Sequence, residues 1–132
     1  MKAKNKEIIE GREALQMLAQ KSLPVLVSLQ VARLGLAFSG PFMLFEEVRN
    51  RLINKYGVVQ ESGETTVVFP GDPLGREVSP DYQKFVEELT QLTEVENEID
   101  IEKVKLPTQV DGHPLLIEPS ILMALSNFIE VE

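Results

Sequence analysis

The chain has 132 residues, 43% of them hydrophobic and 26% charged, proportions that suit one folded domain over 1–132 and exclude a disordered or collagen-like chain. With no cysteine and a single histidine, disulfides, thiolate metal sites and a cysteine nucleophile are excluded, and zinc or general-base chemistry has little to draw on. The formal net charge of -8 has the wrong sign for a broad grip on nucleic acid.

In chain order, Asn5 predicts the cap of a first helix reaching about Lys21, with Ile8, Leu15, Leu18 and Ala19 on one face. The basic start leads into this polar helical pattern rather than an apolar run, so no secretory signal is expected. Leu23-Pro24 interrupts it, and Pro24 suits the first turn of a second helix that continues to Asn54 or Lys55 and ends before Gly57. Gly40-Pro41 predicts a kink or break inside that helix, because proline lacks a backbone donor and crowds the preceding turn. Val58–Glu61 and Glu64–Phe69 read as a hairpin about a two-residue Ser62-Gly63 turn, with Val58 facing Val67, Val59 opposite Thr66 and Glu61 opposite Glu64. Pro70–Gly75 reads as a loop.

Ser79-Pro80-Asp81 predicts a helix start with a hydroxyl cap, followed by an apolar stripe of Tyr82, Phe85, Val86, Leu89 and Leu92. Glu98–Leu106 alternates as a half-buried strand, Ile99 and Ile101 inward, with a bulge or an end where the phase shifts at Val104 and Leu106. Asp111-Gly112 marks a turn. A last helix begins near Pro119 with Ile121, Leu122, Leu125, Phe128 and Ile129 on one face. The sum is a predominantly helical α+β fold: a helical hairpin of a long kinked helix and a shorter one, a small antiparallel β element and short terminal helices.

Charge is unevenly placed. Residues 1–86 sum to +1, whereas 87–132 carry Lys103 and Lys105 against 11 acids, a sum of -9. Glu94, Glu96, Glu98, Asp100 and Glu102 recur at every second position, which on a strand makes one acidic face for a basic partner. An extended strand does not fold several oxygens around one ion, so calcium is not expected there. Gly71–Arg76 resembles a phosphate loop only superficially, lacking the Gly-Lys-Ser/Thr ending that holds phosphate and magnesium. His113 has no partner ligand at metal-binding spacing and reads as a loop residue. With no nucleophile elbow, metalloprotease motif or dinucleotide fingerprint, neither catalytic nor cofactor-binding residues are assigned.

The most informative stretch is Ser22–Phe45, rich in Val, Leu and Phe with Arg33 as its one charge. It is long enough to span a membrane, but Arg33 would then sit near the bilayer centre at about 2.5–3.5 kcal/mol. A core helix is the plainer reading, yet the apolar residues Val25, Leu26, Val27, Leu29, Val31, Leu34, Leu36, Phe38 and Phe42–Phe45 run all the way round, and a small domain covers one stripe. A helix with one face in the core and another on a partner, a second copy included, resolves this. Val27, Val31, Leu34, Phe38 and Phe42 are the candidate contact residues.

The order of pieces also carries a resemblance. Lys4–Glu10 leads into Glu13-Ala14-Leu15 and Leu23-Pro24-Val25; Phe45–Gly57 closes the long helix; Glu96–Val104 is followed by Ile117–Leu125. Together these resemble an uncharacterised family of short proteins encoded by tailed phages and prophages. The likeness spans most of the chain and brings no catalytic or cofactor residues with it. It implies a phage protein in the cytoplasm of an infected cell or in the virion. Where that family's Val25–Phe45 segment is richer in Lys and Glu, this one is nearly uncharged, which strengthens the self-association reading.

The expectation is therefore a non-enzymatic phage protein acting by protein–protein contacts in the particle or its assembly, as a homo-oligomer or with a structural partner, and without nucleic acid, membrane, metal or cofactor. The rival is a host-takeover inhibitor that lays Glu94, Glu96, Glu98, Asp100 and Glu102 into a basic groove of a host protein. A small hydrolase using paired carboxylates ranks last.

Overall fold

The computed structural model describes residues 1–131, and helix occupies about half of them. The chain begins with β1 (Lys2–Lys4) and passes directly into α1 (Asn5–Ala19). Lys4, not Asn5, is the cap: its backbone N–H donates to the Glu7 carboxylate at 3.1 Å. Asn5 lies inside the first turn and is buried, its Oδ1 accepting from Asn97 Nδ2 at 2.8 Å. A short polar side chain this close to β1 is used to tie the sheet rather than to cap the helix.

After Pro24, α2 (Val25–Tyr56) runs as one helix through Gly40-Pro41, so of the kink or break expected there the break does not occur. Gly40 has no Cβ for the proline ring to crowd, which removes part of the usual obstacle to helix before proline. Two compact units follow from the contacts: 1–42 with 96–132, and Met43–Val95.

In the first unit, α1 and α2 form the hairpin through side chains. Arg12 lies over the Phe42 ring at 4.1 Å, and the Phe38 ring meets Phe128 edge-to-face at 4.9 Å. Gly11 makes this approach possible, since a Cβ there would stand 3.3 Å from Phe38 and 3.4 Å from Leu125. The predicted 98–106 strand is two strands. β4 (Glu96–Glu98) pairs antiparallel with β1, and β5 (Val104–Leu106) pairs parallel with β8 (Ile129–Val131). The phase shift between Ile101 and Val104 marks the chain leaving one pair and entering another. Between them, β6 (Gln109–Val110) and β7 (His113–Pro114) flank Asp111-Gly112, both in the left-handed region that a two-residue hairpin turn requires. His113 stands exposed on that hairpin.

The last helix is shorter than its apolar spacing predicts. α4 (Pro119–Ala124) ends early, and the chain turns through Leu125–Phe128 so that Ile129 joins β8. Ile121, Leu125, Phe128 and Ile129 are nevertheless all buried, because a turn followed by a strand carries the same side chains to the same core. That core joins them to Ile8, Leu15, Leu18, Val31, Leu34, Phe38, Val104 and Leu106.

In the second unit, β2 (Val58–Val59) and β3 (Thr65–Thr66) form the hairpin one residue out of the predicted register, with Val58 opposite Thr66 and Val59 opposite Thr65. The loop has three residues, Glu61-Ser62-Gly63, closed by Gln60 N–H to Glu64 at 2.8 Å, with Gly63 at φ +87°. This register also removes the Glu61–Glu64 opposition. α3 (Tyr82–Thr93) follows, packing Phe85 against Tyr56 with ring centroids 6.3 Å apart.

Ser79 does not cap α3. Its buried hydroxyl accepts the Val68 N–H at 2.7 Å and its own N–H donates to the Val68 carbonyl at 3.0 Å, closing the intervening loop. Proline at 80 and Asp81 at φ 55° turn the hydroxyl away from the helix. Ser79→Ala is expected to cost about 1–3 kcal/mol, since Val68 N–H is then buried without an acceptor. Urea titration measures the loss, and Ser79→Thr, which keeps the hydroxyl, recovers part of it.

Candidate interaction surface

The five candidate contact residues on α2 are the covered face of the helix. Val31, Leu34 and Phe38 are buried, and Val27 and Phe42 pack half-buried against the same core. Residues 27, 31, 34, 38 and 42 fall on one side at 3.6 residues per turn, and that side meets α1, α4 and the β5–β8 pair. Their place in the core corrects their assignment as a free contact surface.

What stays uncovered in this unit is the opposite face. Val25 is 80% exposed, Leu26 71%, Leu29 45% and Leu36 76%. By length and composition α2 is apolar enough to cross a membrane, with mean hydropathy 1.4 over its most apolar 18 residues, of which 17% are buried. A spanning helix, however, would have to shed the core that Val31, Leu34 and Phe38 fill.

Beside this ridge runs a furrow of small side chains. Ser28, Ala32, Gly35 and Ser39 share a stripe along α2, and with Arg12, Gln16 and Ala19 of α1 they border an open depression of about 300 Å³. Its floor is apolar, formed by Leu15, Leu23 and Val31. Both hydroxyls in the furrow are turned back onto nearby backbone: Ser39 Oγ donates to the Gly35 carbonyl within the helix at 3.0 Å, and Ser28 Oγ to the carbonyl of Leu23, just before the helix, at 3.5 Å.

The carboxylate row is not one strand face. Glu96 and Glu98 lie in β4 directly opposite Lys4 and Lys2 of β1, while Asp100 and Glu102 follow in the irregular stretch before β5. Glu94 ends α3 and belongs to the other unit. Cross-strand lysines offset the negative charge where the row is regular, which weakens it as an imitation of nucleic acid. Asp100, Glu102, Arg33 and Lys103 instead share a polar depression of about 280 Å³.

Among the described residues no group of three or more His, Asp or Glu stands close enough to hold a metal ion. Among the described residues, Asp72 and Glu118 hold their carboxyls below the ordinary range, and each is paired. Arg76 donates to Asp72 through Nε at 3.0 Å and Nη2 at 3.1 Å, and Glu118 is stabilised by its own backbone N–H and by Lys21. Both arrangements tie loops down, and neither is a carboxylate pair of the kind glycoside hydrolysis uses.

The exposed ridge Val25, Leu26, Leu29 and Leu36 was present in the apolar run but not separable from the core by hydrophobicity. The small residues at 28, 32, 35 and 39 are the signal that divides the two faces. No protein-family model matches the chain, nor does any curated protein or solved structure.

Proposed function

We propose that this protein acts by protein–protein contact, without chemistry of its own, through the uncovered face of α2. The observation that carries this reading is the exposure of Val25, Leu26, Leu29 and Leu36 along one side of a helix whose other side is already in the core. Large apolar side chains exposed along one side of a helix, on a chain of net charge -8, are costly to leave in water and are what binding surfaces are made of. Arg33 beside it supplies one polar point at the rim. The resemblance to short proteins of tailed phages supports a role in the particle or its assembly.

Photo-cross-linking tests the reading. A benzophenone amino acid replacing Leu36 is expected to give a protein adduct in the producing cell, while the same group replacing Leu116, which is equally exposed, gives none. Adducts absent at 36, or equal at both positions, overturn it.

A further inference from the structure

We propose that the outer edge of β3 takes up an extended segment of a partner protein as an added strand, apolar at alternate positions and flanked by lysine or arginine. This surface belongs to the second unit and stands independently of the α2 face. In the β2–β3 hairpin the Gln60 N–H donates to the Glu64 carbonyl, so the next hydrogen-bonded pair is Val58 with Thr66. Thr66 therefore turns its backbone groups toward β2, and Thr65 and Val67 turn theirs to the opposite edge. Val68 keeps the alternation, its N–H donating to Ser79 Oγ and its carbonyl accepting the Ser79 N–H. Among the described residues, the backbone groups of Thr65 and Val67 meet no partner.

The sequence provides for more strand here than the hairpin uses. Thr65-Thr66-Val67-Val68-Phe69 is an unbroken run of β-branched and aromatic residues, the types that fit a pleated surface, yet only Thr65 and Thr66 have a ladder partner. A two-stranded hairpin is marginal in water, and a third strand is what makes such a sheet stable. Until Pro70 the edge also lacks the lysine or proline that keeps exposed edges unpaired. Beside it, Thr65, Val67 and Phe69 border an open depression of about 370 Å³ together with Ile53, Tyr82 and Phe85. Alternate side chains of an added strand fall on one face, so its apolar ones enter this depression while its backbone extends the ladder.

Charge identifies the flanks of the occupant. Residues 43–95 carry five basic and ten acidic side chains. Arg49, Arg51, Lys55 and Arg76 are each paired with an acid of the same unit. Glu64 and Asp81, next in sequence to Thr65 and Tyr82 of the depression, have no cation partner among the described residues. Lysine or arginine beside the added strand supplies one. A second copy would set the same acids against each other, which disfavours pairing of two β3 edges.

The probe is the synthetic peptide acetyl-Lys-Lys-Val-Thr-Ile-Thr-Val-Lys-Lys-amide, titrated to about 1 mM into the isotopically labelled full chain and followed by NMR. Amide exchange at Thr65 and Val67 is expected to slow at least about 10-fold at saturation. Methylating the peptide nitrogens of Val, Ile and Val blocks one edge of the added strand, and methylating those of the two Thr blocks the other. One of these two peptides is expected to bind like the parent and the other at least about 10-fold more weakly. Val67→Pro removes an edge donor without touching a β2 bond, and is expected to weaken binding at least about 10-fold with the urea midpoint kept. A peptide with glutamate in place of every lysine is expected not to bind at about 0.05 M salt. No response at about 1 mM, equal binding of the two methylated peptides, or glutamate flanks that bind as well as lysine ones overturns the proposal. Exchange at the same amides that slows without peptide, as the chain is concentrated from about 20 to about 500 μM, makes the occupant a second copy and overturns the basic partner.

Discussion

Leu34→Glu is expected to leave the chain unfolded at 25 °C, while Leu36→Glu, two residues further along the same helix, changes stability by no more than about 0.5 kcal/mol. Leu34 has no exposed surface, whereas Leu36 is 76% exposed. Removing a fully buried leucine costs about 2–5 kcal/mol before any charge is considered. Placing a carboxylate in the same space adds several kcal/mol of lost hydration, and no cation in the core of Ile8, Leu18, Val104 and Leu125 offsets it. Against a total of about 5–15 kcal/mol for a chain of this size, that sum removes the folded state. At position 36 the same carboxylate stays in water. Urea titration followed by circular dichroism separates the two. A folded Leu34→Glu variant would show that α2 turns its other side to the core.

That pair of residues also shows how far the sequence could be read. Helices announce themselves through local grammar, and α1, α2, α3 and the start of α4 all lie within a turn of where proline and apolar spacing put them, although neither Asn5 nor Ser79 serves as the cap. Which side of α2 faces inward is not a local property. Leu34 and Leu36 have the same chemistry, and only the positions of Leu15, Leu125 and Phe128, far away in sequence, decide between them. The strands were less legible for a related reason. β1 is three residues long and pairs with β4 more than 90 positions later, so neither shows a pattern of its own. Ile129 carries the right spacing for a helix and lies in β8, because burying one face satisfies both periodicities over so short a stretch. The register of β2 and β3 turned on a single residue, Gly63, whose left-handed conformation makes the loop three residues long. Of the candidate surfaces, the acidic row was visible as an alternation but not as a broken one. The lysines that stand opposite Glu96 and Glu98 come from β1.

Gly57→Ala is expected to destabilise the fold by about 3 kcal/mol, near the upper end for overpacking, and to lower the melting temperature by roughly 10 °C. Gly57 is the residue on which α2 ends, its N–H donating to the Ile53 carbonyl at 2.7 Å. A methyl group there would press into that same carbonyl oxygen while standing 2.7 Å from Thr65 Cγ2 and 3.2 Å from the Thr66 carbonyl carbon. Threonine can rotate away, but the two backbone groups cannot. Relief requires either opening the Gly57–Ile53 hydrogen bond or drawing β3 away from β2, and that pair is only two residues long on each side. Gly35→Ala provides the contrast within the same helix. Its methyl would meet Leu15 Cδ2 at 3.6 Å, an ordinary contact, so the helix gains about 0.5–1 kcal/mol from alanine's smaller loss of backbone freedom. Urea midpoints that move in opposite directions for the two alanines are the expected result. If Gly57→Ala instead shifts upward with Gly35→Ala, the passage from α2 into β2 is looser than the contacts of Gly57 require, and helix preference alone governs both positions.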